Sequence, residues 1–319
     1  MAKYRTRLPQ LSDRLFLTDA GMETFLIFHE GLDLPYFASF DLMKNEDGIA
    51  QVRRYYERFI ALARERGLGF VLESPTWRAN ADWAEKLGYG RQARADINRR
   101  TIALMAQMRD AHETAQTPIV ISGNIGPQGD GYSPDRMMSV NEAQDYHAEQ
   151  IEVFTATDAD LVSAFTLNYV NEAIGVARAA RAADMPVVIS FTVETDGRLP
   201  TGQSLKDAIV ETDLKTNAAA AYYMLNCAHP THFAEVLATD EPWVKRLRGL
   251  RANASTRSHA ELDAAPDLDA GDPVALGRQY RDLRRRMPQL TILGGCCGTD
   301  HRHVEQICFA CTAEERRVA

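Results

Sequence analysis

The sequence has no run of apolar residues long enough to cross a bilayer, which excludes a helical membrane span. No apolar stretch follows the charged segment Met1–Gln10, so no secretory leader is expected. Basic charge is not in excess. The 36 Lys and Arg against 44 Asp and Glu give a net charge of −8, and the electrostatic footprint of a nucleic-acid or anionic-membrane binder is missing. The clusters Arg53-Arg54, Arg99-Arg100 and Arg284-Arg285-Arg286 stand in helical patterns beside acidic residues and read as solvated helix faces. Low-complexity tracts and repeats are absent, and no composition shift marks a domain boundary, so residues 1–319 read as one domain. Cysteine is scarce and odd in number, five in all. That is no disulfide framework, and it favours a reducing compartment such as the cytoplasm, where cysteines are thiols, ligands or nucleophiles. Finally, no G-x-G-x-x-G follows the first apolar run, which weakens a doubly wound dinucleotide-binding sheet.

What is present is an alternation of strand-like and helix-like segments. Apolar, β-prone runs occur at Leu15–Thr18, Gly69–Glu73, Pro118–Ser122, Ala159–Thr166, Pro186–Val193, Ala221–Cys227 and Leu290–Gly294. Helical spacing separates them. Ile49, Val52, Tyr56, Phe59, Ile60 and Ala63 share one face, with Gly67 placed to end that helix. Thr101–Met108, Glu172–Ala183 and Pro273–Arg286 read likewise, the last with Asp272 as N-cap and proline at the first helical position. A β-then-α order implies a parallel sheet covered by helices. An eighth strand is needed near Arg246–Ala252, where Arg-Leu-Arg-Gly-Leu-Arg-Ala is poor strand composition. With it, the chain reads as a single (β/α)8 TIM barrel, α/β in class. Asp263–Asp272, rich in Ala, Asp and Pro, reads as an exposed loop.

Three cysteines fall just past strand ends. Cys227 closes Tyr222-Tyr223-Met224-Leu225-Asn226-Cys227, and Cys296-Cys297 follow Ile292-Leu293-Gly294-Gly295. In a β/α barrel the C-terminal strand ends share one rim, the active face, so these thiols can be neighbours. Three protein ligands leave a tetrahedral zinc one open position, the pattern of a catalytic site. Adjacent cysteines reach one metal only across a sharp backbone turn, which Gly294, Gly295 and Gly298 are expected to permit. Buried packing, or a Cys296–Cys297 redox disulfide, is the alternative for the vicinal pair. Cys308 and Cys311 join Val304 and Ile307 in i, i+3, i+4, i+7 spacing, and that assigns both to packing.

Gly294-Gly295-Cys296-Cys297-Gly298-Thr299, with Asn226-Cys227-Ala228-His229-Pro230 upstream, resembles the paired signature of the homocysteine S-methyltransferase family. So do Asp19-Ala20-Gly21-Met22-Glu23-Thr24, Glu73-Ser74-Pro75-Thr76-Trp77-Arg78, Ser190-Phe191-Thr192, Gly197-Arg198-Leu199 and Gly202-x-Ser204-Leu205, in the right order from about residue 13 to residue 311. The resemblance implies a (β/α)8 barrel and Zn2+ held by Cys227, Cys296 and Cys297. It also implies an acceptor thiol that binds the zinc and takes a methyl group from a sulfonium, quaternary ammonium or corrinoid donor.

The resemblance implies as well that Asp19 hydrogen-bonds the amino group of the amino acid, together with Glu23; the plain alternative for Asp19 is a turn or N-cap residue. Asn226 is a candidate to orient its neighbouring ligand or the substrate, and Asn124, Thr166 and Glu194 are further candidates to face substrate. Asn253 is a weaker one, Glu73 could instead pair with an arginine, and His229 and His232 read as caps or surface residues. Trp77 and Tyr169 could face a cationic methyl donor or simply pack. The chain has no length to spare for a cobalamin module beside a full barrel, so a small free donor such as S-methylmethionine or S-adenosylmethionine is expected, ahead of a betaine or a separate corrinoid protein.

One departure stands out. At the end of the fourth strand the family carries Glu-Thr, its glutamate binding the ammonium of homocysteine; here the chain reads Ala164-Phe165-Thr166-Leu167. Phenylalanine accepts no charge-assisted hydrogen bond. Either Asp19, Glu23 or Glu194 takes over, or the acceptor is not homocysteine. The competing classes are a zinc hydrolase or lyase, disfavoured by an electron-rich three-thiolate site, and a silent metal- or redox-sensing thiol protein.

Overall fold

The computed structural model describes residues 2–134 and 136–312. Eight parallel strands close into a barrel in the order β1-β2-β3-β4-β5-β6-β7-β8. The first half runs β1 (Phe16–Leu17), α1 (Met22–Phe28), α2 (Glu46–Arg66), β2 (Gly69–Glu73), α3 (Ala81–Glu85), α4 (Arg91–His112), β3 (Ile119–Ile125), α5 (Val140–Thr155) and β4 (Leu161–Leu167). The second runs α6 (Val170–Ala182), β5 (Val187–Phe191), α7 (Leu205–Thr216), β6 (Ala220–Asn226), α8 (Pro230–Phe233), β7 (Leu247–Ala252), α9 (His259–Asp263), α10 (Pro273–Arg286), β8 (Ile292–Gly295) and α11 (His301–Thr312). Short 3-10 turns fill the remaining connections. The barrel closes where Phe16 and Leu17 pair with Ile292 and Leu293.

The helices form where the spacing and caps put them. In α2 the buried face is Val52, Tyr55, Tyr56, Phe59, Ile60 and Ala63; Asn45 caps its N-terminus, and Gly67 ends it with φ 63°. The spacing found α10 to the residue: Asp272 accepts hydrogen bonds from the backbone N–H groups of Val274 and Ala275, and Pro273 occupies the first turn, where a missing N–H costs nothing. Cys308 and Cys311 are buried on α11 and in no disulfide, so packing accounts for both.

Strand alternation separates two apolar cores. Phe70 and Leu72 face outward into the large core under the helices, whereas Val71, between them, faces inward. The inner cluster fills the barrel with Leu8, Phe16, Val120, Leu161, Tyr222 and Ile292 among others. A side chain at Gly69 would strike the ring of Phe16, so glycine there is what lets an aromatic plug the barrel floor. The weak strand is real: β7 pairs on both sides, with β6 and with β8. Its arginines serve as long hydrogen-bonding arms at the two ends of the barrel. Arg248 reaches Ser12 O at 2.7 Å at one end, and Arg251 reaches Thr18 and Asp19 at the other.

Candidate metal centre and substrate pocket

The inward positions change character toward the C-terminal ends of the strands. Above the apolar plug lies a polar layer. Ser122 and Ser163 hydroxyls meet at 2.8 Å, Ser163 donates to Glu73 Oε1 at 3.2 Å, and Ser190 donates to Asn226 Oδ1 at 2.6 Å. Asn226 is fully occupied by protein: Oδ1 also accepts Thr166 N–H at 2.9 Å, and Nδ2 donates to Thr166 Oγ1 at 2.8 Å. The two residues hold each other, and together they fix the end of β4 against that of β6.

The three thiols meet on this layer. The sulfurs of Cys227, Cys296 and Cys297 lie within 4.8 Å of one another. In this structure Cys227 and Cys296 are joined as a disulfide, with Cα atoms 5.4 Å apart, and Cys297 is free. The oxidised pair is therefore not the vicinal Cys296–Cys297 that the sequence suggested. Cys296 pairs with Cys227, whereas its vicinal neighbour Cys297 lies beside Tyr132.

The backbone that aims these sulfurs is unusual. Cys227 has φ 55° and Thr166, whose Oγ1 lies 3.9 Å from Cys227 Sγ, has φ 62°. A β-branched residue in the left-handed region is strained and persists only where its surroundings over-determine it. Of the glycines expected to make the turn, only Gly298 does so, with φ 77°. Gly294 and Gly295 supply space instead, since a Cβ on either would collide with the hydroxyl of Thr18 or Thr299.

Around the sulfurs stands a ring of polar groups that composition did not reveal. Tyr132 places its hydroxyl 3.7 Å from Cys297 Sγ and stacks on His259 at 4.0 Å between ring centroids. His259 Nε2 contacts the carbonyl of Cys227 at 2.6 Å, and its Nδ1 meets Glu194 Oε1 at 3.1 Å. Glu194 thus orients the histidine that holds the Cys227 backbone. Asn253 donates to that same carbonyl at 3.0 Å. Burial pushes the Cys297 thiol up to about 11, with the Tyr132 hydrogen bond opposing. His229 caps α8 and its imidazole is lowered by burial to about 4; it does not join the sulfur cluster.

The remaining expected contacts are placed as follows. Asp19 accepts from Arg251 Nη1 at 2.6 Å through Oδ1 and from the Tyr55 hydroxyl at 3.1 Å through Oδ2. Glu23 Oε1 accepts from the Ser39 hydroxyl at 2.7 Å, and burial raises its carboxyl pKa. Asn124 stands on an inward position of β3, register partner of Ser163, and its Oδ1 is buried with no hydrogen-bond partner. Among the described residues Glu73 pairs directly with no arginine; burial pushes its carboxyl up to about 7 against the pull of Arg251. Arg78 lies 4.0 Å above the ring of Trp77 and 3.6 Å above that of Trp83, so a protein cation already stands over Trp77. Tyr169 is buried, its hydroxyl accepting from Met138 N–H at 3.1 Å. Arg251, like Tyr132 and His259, escaped sequence reasoning; its one sign was a charge in a segment that had to be a strand.

The family model for homocysteine S-methyltransferase matches residues 16–311. The chain belongs to the homocysteine S-methyltransferase family. That membership makes it a methyltransferase. Its fold is similar to that of the Escherichia coli homocysteine methyltransferase MmuM. The oxidised form of that protein aligns with 18% identity and TM-score 0.71, over 96% of this chain and 99% of the other. Its metallated form aligns with 18% identity and TM-score 0.68, over 98% and 100%. At that identity the likeness speaks for the barrel alone. Within the family frame, the donor set fits a thiophilic metal: three sulfurs from two strand ends, close enough to share one ion and carried on one rim.

Proposed function

We propose that this family member is a zinc-dependent thiol S-methyltransferase that moves a methyl group from a small cationic donor to homocysteine or a related thiol. The observation that carries the reading is the convergence of Cys227, Cys296 and Cys297 on one point of the active rim. Zinc bound by the three reduced cysteines would supply a Lewis acid with one position free, at which an acceptor thiol loses its proton near neutral pH.

The chain's own residues supply position. Asn226 and Thr166 lock the strand ends beneath the sulfurs, and His259 and Asn253 pin the Cys227 carbonyl. Tyr132 stands with its hydroxyl 3.7 Å from Cys297 Sγ, in reach to hydrogen-bond it. In the transfer the acceptor sulfur forms a bond to the methyl carbon. The donor's bond to that carbon breaks, its electron pair stays with the donor, and the donor leaves neutral. Most of the rate then comes from holding the two reactants in line. Acidic side chains near the mouth, Asp130 and Asp263 beside Tyr132 and Glu23 toward Cys297, favour a cationic donor; S-methylmethionine and S-adenosylmethionine are the donors of that class. Thiol ligands also suit a reducing compartment, the cytoplasm.

Zinc content of the reduced, purified protein tests this reading, wild type beside Cys297→Ser. About one zinc per chain, lost in the variant together with at least about a thousandfold of methyl transfer, is the expected result. A zinc-replete, reduced protein that holds no metal sinks it.

A further inference from the structure

Arg251, inside the barrel, is neutralised by Asp19. Arg78, in the loop after β2, is paired with no acid among the described residues. Its guanidinium lies between two indoles, 4.0 Å from the ring centre of Trp77 and 3.6 Å from that of Trp83. The residue is only 7% exposed. Its one hydrogen bond among the described residues runs from Nη1 to Gly129 O at 3.1 Å, a carbonyl shared with the indole N–H of Trp83 at 3.3 Å. Nε is buried without a partner, and Nη2, which is not buried, has none either. A guanidinium carries about five N–H donors, so about four are unspent. Asp130 and Glu23 lie within electrostatic reach but are turned elsewhere. Asp130 Oδ1 accepts from the backbone N–H groups of Tyr132 and Ser133, and Glu23 Oε1 accepts from Ser39. A cation this far from water costs stability that a bound anion would restore.

Stacked on both faces, the guanidinium bonds only in its own plane, the geometry that grips a carboxylate. Trp77 fixes where that plane lies. Its Nε1 donates to Phe165 O at the end of β4 at 3.3 Å, and its ring edge and the methyl of Thr166 both flank Gly131. Thr166 Oγ1 is 3.9 Å from Cys227 Sγ. Arg78 is therefore one indole farther from the sulfurs than Thr166 is. An acceptor sulfur stands at the metal, and the donor's methyl stands about 3–3.5 Å beyond it in a near-attack pose. The tail of the donor, rather than that of the acceptor, extends outward to this distance.

We propose that Arg78 binds the carboxylate of the methyl donor, so that the donor is a sulfonium amino acid held by its acid end. This rests on the thiol-methylating reading above. The acids at the mouth then face the donor's sulfonium and ammonium, and Arg78 faces its one group of opposite sign. The carboxylate is unchanged by the transfer.

The test compares donors that differ only in that group, S-methylmethionine and S-adenosylmethionine each beside its carboxamide, with reduced, zinc-loaded protein and homocysteine. For the donor it uses, wild type is expected to show at least about a thirtyfold higher kcat/KM with the carboxylate form. Arg78→Gln is expected to bring the two forms within about threefold, mainly by raising KM for the carboxylate form. Arg78→Lys, which keeps the charge and loses the planar fork, is expected to fall between them. Homocysteine binding is read separately, from the thiolate absorption bands of cobalt(II)-loaded protein, and is expected to change less than about threefold in either variant. Wild type that uses a carboxamide as well as its parent overturns the proposal and leaves the thiol centre standing. An Arg78→Gln variant that slows both forms alike, as a guanidinium that only pins the Gly129 loop would, overturns it too, and so does one that weakens homocysteine instead. Transfer from none of the donors, with cobalt bands that still respond to homocysteine, overturns the proposal; bands that respond to no thiol overturn the methyltransferase reading as well.

Discussion

The two halves of the barrel interior are made by the same strands and obey opposite rules. Toward the N-terminal ends, Leu8, Phe16, Leu161, Tyr222 and Ile292 form a dry plug in which volume is the main constraint. Toward the C-terminal ends the same strands present Thr18, Glu73, Ser163, Asn226 and Arg251, nearly all hydrogen-bonded, and then three sulfurs on a backbone with two left-handed non-glycine residues. Burial alone holds the first region together. The second needs each group to have its partner, and it concentrates strain and charge where chemistry is to happen.

Breaking the plug should cost stability and spare the centre. Phe16→Ala removes a fully buried ring from the barrel floor and is expected to lower the unfolding free energy by about 3–5 kcal/mol. Zinc content and methyl transfer per folded molecule are expected to stay unchanged. Urea unfolding and metal analysis on one preparation check both, and a loss of metal without a loss of stability would erase the distinction between the halves.

A pH experiment sharpens the contrast from the polar side. The Glu73 carboxyl is raised from 4.5 to about 7, chiefly by burial, so the folded state binds its proton more tightly than the unfolded chain does. That contribution is complete below the unfolded pKa and is lost as pH rises through the folded one; it amounts to roughly 3 kcal/mol. Glu73→Gln keeps the shape without the titration. The stability of the variant relative to wild type should therefore climb between pH 5 and pH 8, whereas Phe16→Ala should differ from wild type by the same amount at both. A Glu73→Gln difference that is flat with pH would mean the carboxylate is ionised throughout. The smallest effect lies outside both halves. Ser139 and Glu142 form a capping box at the start of α5, and Ser139→Ala is expected to cost about 1 kcal/mol in thermal unfolding with activity and pH response untouched.

The strand-helix alternation, the cap of α10 and the three cysteines could be read from the sequence because each rests on local pattern: period, capping chemistry, placement after an apolar run. The inner surface of the pocket could not. Arg251 looked like a defect in a strand because its reason lies 232 residues away in Asp19. Nothing local shows that Thr166 and Asn226 bond to each other across two strand ends. Gly294 and Gly295 looked like turn makers, and only the packed structure shows that they clear room for Thr18 and Thr299. What composition presented as a poor eighth strand carries the arginine that ties β7 to Thr18 and Asp19 after β1.

The seam between β1 and β8 also bears on how the protein is made. Gly21 N–H donates to Thr299 Oγ1 across 278 residues, and Cys296 and Cys297 arrive on the last strand to close the barrel. At about 5–20 residues per second a ribosome needs tens of seconds to deliver that strand after the first has emerged. Throughout that interval Cys227 has no second sulfur from β8 beside it. The three sulfurs therefore come together only after β8 has emerged, and the thiol balance met at that moment decides whether they stand as thiols or as the Cys227–Cys296 disulfide.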